Sequence, residues 1–275
     1  MITAIGGVLL FGIADALWRP SILHHGQHKV LLHRTVLTTL ILGLFLLTDI
    51  QHFKFNIPMI GVAILSGVIA GVGLYFLVKA FSLETTTNVL FLNVFTLLIA
   101  QLFSFILFEE SIQWKYYPIQ IGLSILTVFC FNGFDFKLRK GLLYGLLASL
   151  CFGIAYPLAG VPIKEIGFKT TIFIQEITIL SMFLCFGYFM KKIKIDFKIY
   201  LDIKILALST LSAIAVILFF YSYTVIEIYK VNLISNFHPV GGIIVSIILF
   251  NERLTKYQIL GIVSSVFVLA SIVVI

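Results

Sequence analysis

Apolar runs of about bilayer length follow one another from end to end of this chain, and most of its charges lie between them or near their ends. A membrane-spanning helix needs about 20 mostly apolar residues. Ten such segments are bounded by charges or turn residues, near 2–23, 29–49, 58–80, 85–108, 117–134, 140–159, 168–190, 203–225, 228–250 and 256–275. Only 11% of the residues are charged, whereas a soluble domain carries roughly a quarter to solvate its surface. Most of the outer surface must therefore face something other than water. The expected fold class is an all-α integral membrane protein of ten transmembrane helices in a cell membrane, the inner or plasma membrane.

The formal net charge of +7 would point a soluble protein toward nucleic acid. Here the Lys and Arg sit between apolar runs and report topology instead, so no nucleic-acid partner is expected. Cys130, Cys151 and Cys185 fall inside apolar runs without a CxxC or paired spacing, and read as small packing residues. Residues 2–17 lack a basic start and an A-x-A site and contain Asp15. They read as a first transmembrane helix rather than a signal peptide.

The tetrapeptide FGIA occurs at 11–14 and again at 152–155. Aligning the two copies places segment one on segment six. With one residue inserted, LLHRTVL (31–37) falls on FIQEITI (173–179), and SFILFEESI (104–112) on SIILFNERL (246–254). The chain thus reads as two five-helix halves, 1–137 and 138–275. Five is odd, so the second half starts on the opposite side of the membrane and the halves are inverted. Inverted repeats are recurrent in secondary transporters, with the substrate site near the midplane between halves. The Gly and Ala of FGIA suit close helix packing.

These features resemble the ten-helix EamA-like transporters of the drug/metabolite transporter superfamily. Phe-Gly stands near the middle of segments one and six, where that family usually has Trp-Gly, and Arg19 follows seven residues after Gly12. HPVGGIIVSIILFNERLT (238–255) is similar to the family's Pro-Val…Gly-Glu-Arg-Leu-Thr ending, with Asn251 in place of Gly. The first half keeps only FEESI and has Leu97 where the Pro would stand. The resemblance implies two repeats around a central cavity, bordered by segments one, three, six and eight, and transport of metabolites such as amino acids, amines or nucleosides.

An ionisable group within a span marks a functional site by default. Asp15 lies inside segment one, and Arg34, with His33 beside it, about two turns into segment two. At about 1.5 Å per residue the two reach similar depths, so an Asp15–Arg34 pair is one expectation. It either locks two helices or faces a cavity. Glu176 and Gln175 take the places of Arg34 and His33 in the second half, giving an electrically asymmetric cavity suited to a zwitterion. Glu176 is the candidate proton-coupling residue, because burial raises a carboxyl pKa. Among the amides of segments four and nine (Asn88, Asn93, Gln101, Asn232, Asn236), Asn93 and Asn236 join His238 as cavity candidates; interhelical bonding is the alternative. Pro239 is expected to bend segment nine. Trp18, Tyr75, Tyr156, Tyr221 and Tyr223 supply an aromatic wall for a cationic or aromatic substrate, or simply pack.

HHGQH (24–28) carries His24, His25 and His28 without a Cys or acidic ligand nearby, so no metal site is expected, and no cofactor. No P-loop, HExxH, nucleophile elbow or dinucleotide fingerprint occurs in context, so an enzyme is not expected. Of the 19 Lys and Arg, thirteen fall in odd-numbered connections and five in even ones, with Arg34 in a span. The positive-inside rule then places both termini outside, whereas the resemblance places both in the cytoplasm. The functional expectation is a secondary transporter of a small polar or amphipathic metabolite, an exporter or proton-coupled carrier, monomeric or weakly dimeric in the bilayer. The alternative is a membrane receptor or scaffold that binds such a metabolite without flux.

Overall fold

The computed structural model describes residues 1–49, 51, 54–109, 117–133, 138–189, 196–234, 238–251 and 253–273. Among them the chain is helical and no strand occurs. The helices are α1 (Ile2–Ala16), α2 (Trp18–His25), α3 (Gln27–Leu47), α4 (Ile57–Leu83), α5 (Thr86–Phe91), α6 (Asn93–Phe108) and α7 (Tyr117–Phe131). They continue as α8 (Lys140–Ile166), α9 (Phe168–Phe189), α10 (Ile203–Ser222), α11 (Ile228–Ile234), α12 (His238–Phe250) and α13 (Lys256–Val273), with a 3₁₀ turn at Phe197–Leu201.

Among the described residues, seven stretches are long and apolar enough to cross a membrane: Ile2–His25, Gln27–Leu47, Ile57–Leu83, Thr86–Phe108, Lys140–Ile166, Phe168–Tyr188 and Ile203–Ser222. Tyr117–Cys130 and Gly241–Phe250 are shorter apolar helices. The chain is a multi-pass membrane protein. Large apolar side chains such as Leu40, Leu44, Leu65, Ile106 and Ile248 lie exposed along the outer faces, a distribution that water would penalise and acyl chains accept.

Local sequence explains most boundaries. Asn56 caps α4 by accepting from the Met59 amide, with Pro58 in the first turn, where its missing N–H costs nothing. Asp202 caps α10 through the Lys204 amide at 2.8 Å. Gly26 and Gly167 end α2 and α8 at positive φ of 83° and 84°, a conformation side chains resist. Several boundaries depart from the sequence reading. Segment one breaks at Leu17 into α1 and α2, and segment four at Leu92 into α5 and α6. Segment six runs on to Ile166 through Pro157 and Pro162, because neighbouring helices tolerate the lost donors. Pro239 is the second described residue of α12, and residues 235–237 before it lie outside the described residues.

Packing brings early and late parts of the chain together. α1 lies against α10 and α12, α4 against α8 and α9, α3 against α9 and α10, α6 against α8, and α7 against α13. Both FGIA glycines sit at crossings. A Cβ on Gly12 would overlap the His238 carbonyl of α12 and come 2.8 Å from the Gly242 nitrogen. On Gly153 it would come 2.9 Å from the Thr96 carbonyl of α6 and 2.6 Å from the Ile99 Cβ. Only glycine permits either approach.

Candidate functional site

A central cavity of about 100 Å³ opens where α1, α4, α8, α9 and α10 meet the first turns of α6 and α12. Its polar lining is Asp15, Arg34, Thr96, Tyr156, Gln175, Glu176, Ser212 and His238; Trp18, Phe11, Phe152, Phe219 and Phe220 supply aromatic surface. Six of the sequence candidates therefore border one space: Asp15, Trp18, Arg34, Tyr156, Glu176 and His238.

The charges pair differently from the sequence expectation. Arg34 donates from an Nη to Glu176 Oε1 at 2.6 Å, and both side chains are about 7% exposed. The Asp15–Arg34 pair is thus replaced by Arg34–Glu176, because α3 packs on α9 and not on α1. Asp15 instead accepts from Trp18 Nε1 at 3.0 Å and lies 3.0 Å from His238 Nε2. The latter approach is short but poorly aligned for a hydrogen bond. Arg34 Nε, buried, has no hydrogen-bond partner among the described residues. The guanidinium carbon lies 6.0 Å from the Trp18 ring centre. A buried donor left open in this way suits an incoming acceptor such as a carboxylate.

Gln175 donates to Ser66 Oγ at 2.8 Å, which donates to the Ala155 carbonyl at 2.9 Å, tying α9, α4 and α8 beside the cavity. Tyr156 stacks on Phe152 with ring centres 5.4 Å apart and leans on Phe219.

The remaining candidates lie elsewhere. His33 is buried against the Tyr200 ring, and its Nε2 accepts from the Asp196 amide at 3.4 Å. Tyr75 borders a second, smaller cavity with His28, Phe183 and Phe186. Tyr223 is buried among Phe219 and Phe220, and Tyr221 faces outward against Phe168. Asn236 falls outside the described residues, as do the side chains of Asn93 and Asn232. Asn88 takes an interhelical role, donating to Glu84 and accepting from Gln258.

Thr96, Ser212 and the Phe11/Phe152 pair were not singled out from sequence. The repeat spacing is the signal that finds them. Lining residues recur at close to the spacing that separates Arg34 from Glu176: Phe11 with Phe152, Asp15 with Tyr156, Ala70 with Ser212, Leu74 with Val216, Leu77 with Phe219, Thr96 with His238.

On one side of the bundle, contacts reach from the α2–α3 turn to the segment before α10. His25 Nε2 meets Asp202 Oδ2 at 2.7 Å, and Lys29 donates to Asp196 at 3.2 Å. The hydrogen bond from His25 holds the Asp202 carboxyl below the usual aspartate range, and that from Lys29 does the same for Asp196.

A multi-pass helical bundle enclosing a buried, charge-bearing cavity is the class of protein that this geometry defines. Residues 139–274 match the model of the EamA-like transporter family, and through this matched half the chain belongs to that family, of drug/metabolite-transporter type. Twenty-five chains of solved structures match the fold. One, described only as the crystal structure of a protein, superposes with a TM-score of 0.66 at 16% identity, over 98% of this chain and 96% of that one. No curated protein matches the chain.

Proposed function

We propose that the chain is a secondary transporter of a small polar or amphipathic metabolite, in class an amino acid or amine. It works by alternating access across the cell membrane around the cavity between halves 1–137 and 138–275. The carrying observation is the Arg34–Glu176 pair, which joins the two proposed halves inside the cavity, while Arg34 Nε has no hydrogen-bond partner among the described residues. The matched lining positions support an inverted repeat of ten spans, and so does helix pairing that exchanges between halves, α1 with α10 against α8 with α4. Alternating access then takes the form of the two halves rocking around this cavity.

In this mechanism the substrate carboxylate takes Arg34, displacing Glu176, and the released Glu176 accepts the coupling proton. The substrate's ammonium or amine faces Asp15 and the aromatic wall of Trp18 and Tyr156. A thermal-shift screen of amino acids, amines, nucleosides and sugars selects the ligand. Counterflow of that labelled ligand in sealed proteoliposomes then tests flux. Accumulation supports the carrier; saturable binding with no flux replaces it with a metabolite receptor. Glu176→Gln should lose uptake driven by a pH gradient yet retain exchange. Concentrative uptake by that variant would remove Glu176 as the proton site.

A further inference from the structure

The HHGQH motif lacks an acidic neighbour in sequence, but the fold supplies one. His25 Nε2 lies 2.7 Å from Asp202 Oδ2, across a sequence separation of 177 residues. His24 stands beside it, the two imidazole centres being 4.4 Å apart at 77°. One donor atom from each of His24, His25 and Asp202 lies within 4.8 Å of the other two.

We propose that His24, His25 and Asp202 form a binding site for a transition-metal dication of the zinc type, bridging the end of α2 and the start of α10. Two imidazoles and one carboxylate are the donor set of an open zinc site, in which a water takes the fourth position. Ligand bonds of about 2.0–2.2 Å put tetrahedral donors roughly 3.3 Å apart. His25 and Asp202 are already near that spacing, and His24, which is exposed, closes the remainder by rotating its side chain. The carboxylate is oriented in advance: Asp202 Oδ1 accepts from the Lys204 amide at 2.8 Å, which leaves Oδ2 toward the histidines.

The turn at Gly26, with φ of 83°, brings the chain sharply round after the two histidines and holds them at the negative end of α2. Imidazole ligands favour zinc, nickel or copper over calcium and magnesium, which require a shell of oxygens. The charge of Lys204, felt at Asp202, opposes a cation, so the site is an exchangeable one rather than a closed structural centre. His28 contributes nothing, since it borders the separate cavity of Tyr75 and Phe183.

The experiment uses the full chain in detergent with any histidine tag removed, and Co²⁺ as the optical probe. Wild type should take up one equivalent of Co²⁺ with visible d–d absorption that Zn²⁺ displaces. His24→Ala and Asp202→Asn should each weaken binding on the order of tenfold or more, the loss typical even for outer-shell changes, and His28→Ala should leave it unchanged. Asparagine retains the cap on α10, so Asp202→Asn tests the ligand and not the fold. Absence of saturable uptake by wild type, or wild-type affinity in both ligand variants, would overturn the site. The readout is binding alone and does not depend on transport.

Discussion

Replacing Glu176 by glutamine removes one charge from a pair whose two side chains are about 7% exposed and whose polar atoms approach to 2.6 Å. Charges about 4 Å apart interact by about 4 kcal/mol at an effective dielectric of 20. Stranding one member of a buried pair costs about 3–5 kcal/mol. The glutamine side chain would keep the volume and an acceptor for Arg34, so the loss is chiefly electrostatic. It falls on a guanidinium whose Nε already has no hydrogen-bond partner among the described residues. At roughly 2–4 °C per kcal/mol for a chain of this size, Glu176→Gln should lower the unfolding midpoint by about 10 °C. Arg34→Gln should do the same by stranding Glu176.

The double variant removes both charges and should recover to near wild-type stability, since a buried pair contributes little net stabilisation beyond a neutral replacement. Thermal unfolding of the four proteins in one detergent, followed by fluorescence, closes the cycle. Additive single effects would refute the pairing argument. Recovery by Asp15→Asn with Arg34→Gln, in place of the Glu176 double, would show that Arg34 answers to Asp15.

Gly12→Ala should prevent close packing of α1 on α12, because the new methyl meets backbone and not a yielding side chain; Gly6→Ala, which meets only Leu218 Cδ1 at 3.8 Å, should be neutral in the same yield and unfolding measurements. Ser66→Ala leaves the Gln175 amide without its acceptor and should cost about 1 kcal/mol, the scale of interhelical hydrogen bonds in membranes; a midpoint unchanged from wild type would show that water replaces the hydroxyl. Trp18 borders the cavity and is 1% exposed, so in a Trp114→Phe background a bound ligand should change the remaining tryptophan emission saturably. A ligand that stabilises the protein without altering that emission binds elsewhere.

The sequence by itself determined the membrane environment and the helical class, and it carries the proposed reading in two halves and the candidate polar residues. Each of these is written along one dimension. Apolar runs of spanning length need only be counted, FGIA and FILF-type anchors recur at near-constant spacing, and Asp15, Arg34, Glu176 and His238 announce themselves as polar groups inside apolar runs. Depth was equally legible, since rise per residue is constant along a helix. Azimuth was not. Asp15 and Arg34 are expected at similar depths and border one cavity, yet which side chain each one meets depends on which helix lies beside it. That choice was made by packing, with α3 seated on α9 and α1 on α10 and α12. The tertiary structure therefore gave Arg34 to Glu176 and Asp15 to His238, turned His33 toward Tyr200 and Tyr75 toward a second cavity, and set Asp202 beside two histidines that had no acidic neighbour in sequence. Interhelical neighbours are fixed by side-chain fit over whole helix faces, as at Gly12 and Gly153, and no local stretch of the chain contains that information.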